Sequence, residues 1–307
     1  MNQPSGMHLQ DLFPNFEHQL IQVESDQVIC AAIGGAGPPL LLLHGHPQTH
    51  AIWHKIAPDL AKHFTVVAAD LRGYGDSSKP KGLPDHSNYA KRSMAQDQIS
   101  VMHQLGFDRF DVLAHDRGAR VAHRMALDHP HAVKSLVLLD VAPTLAMYQQ
   151  TTQEFARAYW HWFFLIQPTA MPERLIQADP HAYVLEVMGN RSAGLAPFDA
   201  RALAQYQRCL ALPGAAHGLC EDYRASASID LVHDQADMNT GNRLEQPLLV
   251  LWGDQGVVQK CFAPLDEWRL VAHQASGRAL PCGHYIPEEA PEALLQAVLT
   301  FWGCTPT

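Results

Sequence analysis

Short runs rich in Val, Leu and Ile, bounded by Gly, Pro or Asp, recur at residues 27–33 (QVICAAI), 38–43 (PPLLLL), 64–69 (FTVVAA), 110–114 (FDVLA), 135–139 (SLVLL) and 247–252 (PLLVLW). Such runs predict buried strands. Between them the pattern changes to a helical period. Ala95, Ile99, Met102 and Leu105 share one face, and Gly106 follows where a helix-ending glycine belongs. Near the end, Pro291 opens a stretch in which Leu294, Val298 and Phe301 align, closed by Gly303. Alternating strand and helix predicts a largely parallel sheet with helices on both faces.

That alternation stops between residues 143 and 240, where aromatic clusters such as YWHWFF (159–164) and helical runs replace strands. The pattern predicts a helical cap at 143–240 inserted into a core domain formed by 1–142 and 241–307. No internal repeat or flexible linker interrupts this plan.

Composition narrows the class without identifying it. The chain has 307 residues, 47% apolar and 17% charged, with a formal net charge of −9. That balance argues against nucleic acid as a partner. The N-terminus, MNQPSGMHLQ, lacks a basic-then-apolar signal pattern, and no apolar run is long enough to span a bilayer. Six cysteines without a CxxC pattern read as reduced thiols of a cytoplasmic protein. The expectation is a soluble protein without a membrane partner. Nineteen histidines invite a search for metal ligands. Neither His44 with His46 nor His129 with His131 has a carboxylate or cysteine at a familiar spacing, so no metal is expected.

The chemistry concentrates in four fragments. AHDRGA (114–119) has the small-residue pattern of a tight strand-to-helix turn that displays a nucleophile, but carries Asp116 where serine is usual. HGHPQ (44–48), DLRGYGDS (70–77) and CGHYIPEE (282–289) complete the set. Asp116 alone could equally cap a helix. As a nucleophile it needs no activating base, because a carboxylate is anionic at neutral pH. His284 is then the candidate base for water, and a base of this kind wants an acid to fix its tautomer. In LWGDQGVV (251–258) Asp254 is present, while Gly256 stands where an acid would be expected; Asp140, in LVLLDVAPT, is the alternative.

In this order the four fragments resemble the α/β-hydrolase family, with an eight-stranded, mostly parallel sheet. Asp140 directly after the sixth strand resembles the fluoroacetate (haloacetate) dehalogenase branch, which favours it over Asp254. The resemblance implies an oxyanion hole from the backbone N–H groups of His46 and Arg117, and a halide site from His161, Trp162 and Tyr223. It also implies a cofactor-free enzyme, often homodimeric.

Arg117 and Arg120 bear on the substrate. Three residues apart, they share a face of the first turn of a helix, where the macrodipole disfavours cations. A substrate carboxylate would reverse that cost, since guanidinium forks match carboxylates. It would also relieve the repulsion between an anionic nucleophile and an anionic substrate, about 4 kcal/mol at ~4 Å and an effective dielectric of ~20. The expected activity is hydrolysis of a short 2-haloacid through an aspartyl ester. The rival is an epoxide hydrolase, which uses the same groups and two cap tyrosines; Tyr148, Tyr159, Tyr206 and Tyr223 are available.

Overall fold

The computed structural model of the chain describes residues 12–191 and 193–304. The N-terminal stretch MNQPSGMHLQ, read above for a signal pattern, lies outside them. Eight strands form one sheet: β1 (Glu17–Glu24), β2 (Gln27–Gly34), β3 (Pro39–Leu43), β4 (Thr65–Ala69), β5 (Phe110–His115), β6 (Val133–Leu139), β7 (Leu248–Gly253) and β8 (Ala275–Leu280). Their spatial order is β1-β2-β4-β3-β5-β6-β7-β8. β2 pairs antiparallel with both β1 and β4, and every other pairing is parallel.

Six of these strands contain the apolar runs of the sequence. The other two, β1 (EHQLIQVE) and β8 (ASGRAL), are the sheet edges. An edge strand has one neighbour and needs no continuous apolar run, so both alternate between more and less exposed positions. The central strands differ. Leu40–Leu43 of β3 and Leu136–Leu139 of β6 have no exposed surface, as strands covered on both faces should.

Helices α1 (Ala57–Leu60), α2 (Lys91–Gln104) and α3 (Arg117–Asp128) flank the N-terminal half of the sheet, and those beyond β7 flank its return. α2 packs on α3, and α3 on β5 and β6. Gly106 lies just past α2 at φ +84, the left-handed conformation expected of a helix-ending glycine.

Between β6 and β7 the described elements are helices: α4 (Thr144–Gln149), α5 (Gln153–Ala158), α6 (Trp160–Leu165), α7 (Met171–Ala178), α8 (Pro180–Gly189), α9 (Ala200–Leu210), α10 (Ala215–Ser226) and α11 (Ile229–Thr240). The chain then resumes with β7, α12 (Val257–Cys261), α13 (Pro264–Val271), β8, α14 (Ile286–Glu289) and α15 (Pro291–Phe301). The inserted helices form a cap held by its own aromatic core. Phe155 packs against Tyr159 and Trp162 with ring centroids 5.0 and 5.4 Å away. Among the described residues, no helix is long and apolar enough to cross a membrane.

Candidate active site

The candidate groups gather beyond the carboxyl ends of parallel strands, where open α/β sheets place their sites. Asp116 follows β5 with φ 45 and ψ −110, a region that non-glycine residues rarely adopt. Such a conformation costs about 1–3 kcal/mol and must be held by its surroundings. Asp116 occupies the N-cap position of α3, yet its side chain makes no capping bond. Instead Oδ2 accepts the backbone N–H of His46 at 3.0 Å. Two glycines let the chain close this tightly: a Cβ on Gly45 would stand 2.5 Å from Asp116 Cβ, and one on Gly118 would stand 2.4 Å from the His44 carbonyl oxygen.

His284, in the loop after β8, meets Asp140, which follows β6. His284 Nδ1 is 2.5 Å from Asp140 Oδ2, and Asp140 Oδ1 accepts the backbone N–H of Gly253 at 3.0 Å. Asp140 also has a positive φ, 51. Asp254 is exposed on the outer side of the turn. Gly256 backs onto Asp140: a Cβ there would lie 3.3 Å from its Oδ1. The glycine therefore leaves space for the acid arriving from β6.

Charge around Asp116 is strongly biased. Burial favours the neutral acid, but His284, His115, Arg120 and Arg117 together hold its carboxyl well below the usual carboxylate range. Burial pushes His46 down to about 3 and His161 well below its usual value. Both imidazoles are neutral near pH 7, each with one N–H donor and one acceptor. Their rings stack at 5.3 Å, nearly parallel at 8°.

The arginine clamp differs from the expectation. Arg117 is already bound to a carboxylate of the protein itself, Asp222 of α10. Its Nε donates to Asp222 Oδ2 at 2.7 Å and its Nη2 to Oδ1 at 2.9 Å, with a further bond to Ser226 Oγ at 2.6 Å. Lys91 pairs with the same carboxylate, and the Tyr74 hydroxyl donates to it at 2.6 Å. The cation at the start of α3 is thus compensated from the cap, and the dipole argument does not require a substrate. What Arg117 keeps free is Nη1, buried without a hydrogen-bond partner. Arg120 has neutral partners: Nη1 donates to Thr144 Oγ1 at 2.9 Å, and its Nε is buried without a partner. The pair offers the Nη1 amino group of Arg117 and the single Nε–H of Arg120, not two forks.

The cap contributes further free donors. Trp162 Nε1 and the hydroxyls of Tyr223 and Tyr148 are buried without partners. Tyr223 lies beside the stacked histidines, its ring roughly perpendicular to both, 5.3 Å from His46 and 5.9 Å from His161, with Trp162 at 6.3 Å. The Arg117 guanidinium sits 4.0 Å over the Tyr223 ring, and that of Arg120 4.7 Å over Trp162. Buried donors normally find acceptors; a cluster of free ones defines a place for an anion. The Arg117 backbone N–H makes no bond to Asp116 Oδ2, so His46 alone supplies that oxygen's backbone donor here.

Residues 38–291 match the alpha/beta hydrolase fold family. The chain is an α/β hydrolase. It is 44% identical over 282 residues to a fluoroacetate dehalogenase from a Burkholderia species, covering 92% of each chain. A soluble epoxide hydrolase from a Corynebacterium strain is 32% identical, over 87% of this chain and 91% of that one. A protein of Nostoc sp PCC 7120, solved as a candidate alpha/beta hydrolase, superposes with a TM-score of 0.90 at 55% identity, over 94% of this chain and 99% of that one.

Three features of this hydrolase's site escaped sequence reasoning. Asp222 was missed because its partner lies 105 residues away in the chain; its position directly before Tyr223 was the available signal. Tyr183 also reaches the site, beside Tyr159, which the sequence offered only as one of the cap tyrosines for epoxide opening. The Tyr159 hydroxyl is 3.5 Å from His284 Nδ1, and the Tyr183 hydroxyl is 3.3 Å from His46 Nε2. Finally, Cys30, His50 and Asp70 bring metal-ligand atoms within 4.8 Å of one another, a grouping no spacing suggested. Asp70 is already engaged there by the backbone N–H groups of His50 and Asp76, at 2.8 and 2.9 Å, and by His50 Nδ1 at 2.9 Å. The grouping is accounted for as a hydrogen-bonded turn.

Proposed function

We propose that this hydrolase cleaves the carbon–halogen bond of short 2-haloacids, with fluoroacetate and chloroacetate as the simplest substrates. The observation that carries the reading is the cluster of buried, unpartnered donors facing an ionised carboxylate: Arg117 Nη1, Arg120 Nε, Trp162 Nε1 and the Tyr223 hydroxyl around Asp116. Arg117 and Arg120 hold the substrate carboxylate. Trp162, Tyr223 and the single N–H of His161 receive the departing halide, whose charge grows as the bond breaks. The 44% identical relative is named for this activity.

The bonds then change as follows. Asp116 Oδ1 attacks C2, the carbon–halogen bond breaks, and halide leaves with its electron pair. His284, oriented by Asp140, takes a proton from water, and the hydroxide adds to Cγ of the ester. Charge develops on Oδ2, the oxygen already held by His46 N–H. Collapse breaks the Cγ–Oδ1 bond, the leaving alkoxide takes the proton from His284 and departs as glycolate, and the new carboxyl loses its proton to regenerate the carboxylate.

Epoxide hydrolysis is the second reading, and a specific observation favours it. Two buried tyrosine hydroxyls, Tyr148 and Tyr223, are without partners, and a pair of such acids could protonate an epoxide oxygen. A neutral epoxide would leave Arg120 without an anion, which favours the haloacid. Halide release from fluoroacetate and chloroacetate, run beside diol formation from styrene oxide, tests both readings. Halide release without diol is expected; diol formation alone would replace the first reading with the second.

A further inference from the structure

Arg191, in the loop between α8 and α9, is the third arginine of the pocket. Its guanidinium lies 4.5 Å over the ring of Tyr159, whose hydroxyl reaches His284. Its Nη1 is buried without a hydrogen-bond partner, and among the described residues it has no ion pair. Its charge acts on Tyr159, Tyr285, Asp116 and Tyr223, and in turn on His161 and His46.

The three arginines differ in what balances them. Arg117 is 0% exposed and neutralised by Asp222, and Arg120 is 4% exposed and enclosed by neutral acceptors. Arg191 alone keeps part of its surface in solvent while its free nitrogen points inward. An incoming acid anion meets two fixed carboxylates, Asp116 and Asp140, at the floor of the site. Arg191, partly exposed and without an ion pair among the described residues, attracts that anion before Arg117 and Arg120 can hold it.

We propose that Arg191 is a further anion-binding residue of this site, the one that captures the substrate carboxylate on arrival. This rests on the haloacid reading and assigns it a residue that sets kcat/KM for anions. The test compares wild type with Arg191→Gln and Arg191→Lys, in chloroacetate turnover and in glycolate association followed by tryptophan fluorescence in stopped flow. Ionic strength is varied with a non-halide salt. At low ionic strength Arg191→Gln should lower kcat/KM and the glycolate association rate about 10-fold, the low end expected of steering. It should also flatten their salt dependence, while Arg191→Lys restores most of both. A purely structural role would move neither salt slope, nor would lysine rescue it.

Unchanged rates and slopes in Arg191→Gln overturn the inference. So does an absence of glycolate binding to the wild type. If the wild type binds glycolate but turns over neither haloacid, the substrate reading fails, and the glycolate rates still decide the role of Arg191.

Discussion

The floor of the site and its roof are built on opposite principles. On the floor, at the ends of β5, β6 and β8, polar groups are matched to one another: Asp116 to His46 N–H, His284 to Asp140, Asp140 to Gly253 N–H. Facing it, the cap and the two α3 arginines present donors without a partner among the described residues. The floor is preorganised for bond making, so its geometry suits any substrate an aspartate can attack. Under the proposed haloacid reading the roof selects the substrate, because each free N–H or O–H is costly until an acceptor arrives.

Breaking the floor should have the largest effect. Asp116→Asn should lower halide release from chloroacetate by on the order of 10³-fold or more, as loss of a nucleophile does. His284→Gln should stall after the first step, and intact-protein mass spectrometry should find one carboxymethyl group attached to the chain. Turnover that survives in Asp116→Asn would remove the distinction between floor and roof altogether.

Next comes the joint between the two regions. Asp222→Ala leaves Arg117 a buried cation without its carboxylate and Lys91 with Asp230 alone, and truncating one partner of such a pair costs about 3–5 kcal/mol. Urea denaturation should register that loss. On the roof, Arg120→Leu should raise KM for chloroacetate about 10- to 100-fold, the loss of one charged hydrogen bond of about 1.5–3 kcal/mol. Removing one neutral donor, Trp162→Phe, should lower kcat about 5-fold, corresponding to about 1 kcal/mol. A fall in KM effect to nothing for Arg120→Leu would mean that the roof does not read a carboxylate.

The smallest effect concerns acidity. Burial raises the Asp222 carboxyl, and Arg117 and Lys91 more than offset it, holding the carboxyl well below its unfolded value of about 3.9. A depressed acid contributes stability that is complete above the unfolded pKa and is lost as pH falls through the folded one. The wild type should therefore lose stability more steeply below about pH 4 than Asp222→Asn does, measured as urea midpoints at neutral and acid pH. Equal slopes would show that the joint is not electrostatic.

Much of the floor was legible because its parts lie in short contiguous motifs. AHDRGA, HGHPQ and CGHYIPEE each contain the residue and the small neighbours that let it approach, as Gly45 and Gly118 show. Gly256 was informative in the same way, an absence that pointed to Asp140. The edge strands β1 and β8 were not legible, since one-sided burial leaves too weak an apolar pattern. Nor was the Arg117–Asp222 pair: the helix dipole argument recognised that two cations needed an anion but could not tell a cap carboxylate from a ligand. Pairing across 105 residues depends on how the cap lies on the sheet, which local periodicity does not encode.

That pair also limits how the molecule can be taken apart. Arg117 belongs to the core and Asp222 to the insertion, so a cap transplanted from a relative brings its own residue to meet a buried guanidinium. A graft lacking an acid at this point would leave the recipient's arginine uncompensated; a graft carrying one onto a core without the arginine would bury a carboxylate with Lys91 as its only cation. Cap and core are inherited as a matched set, and chimeras that exchange specificity must move both residues together.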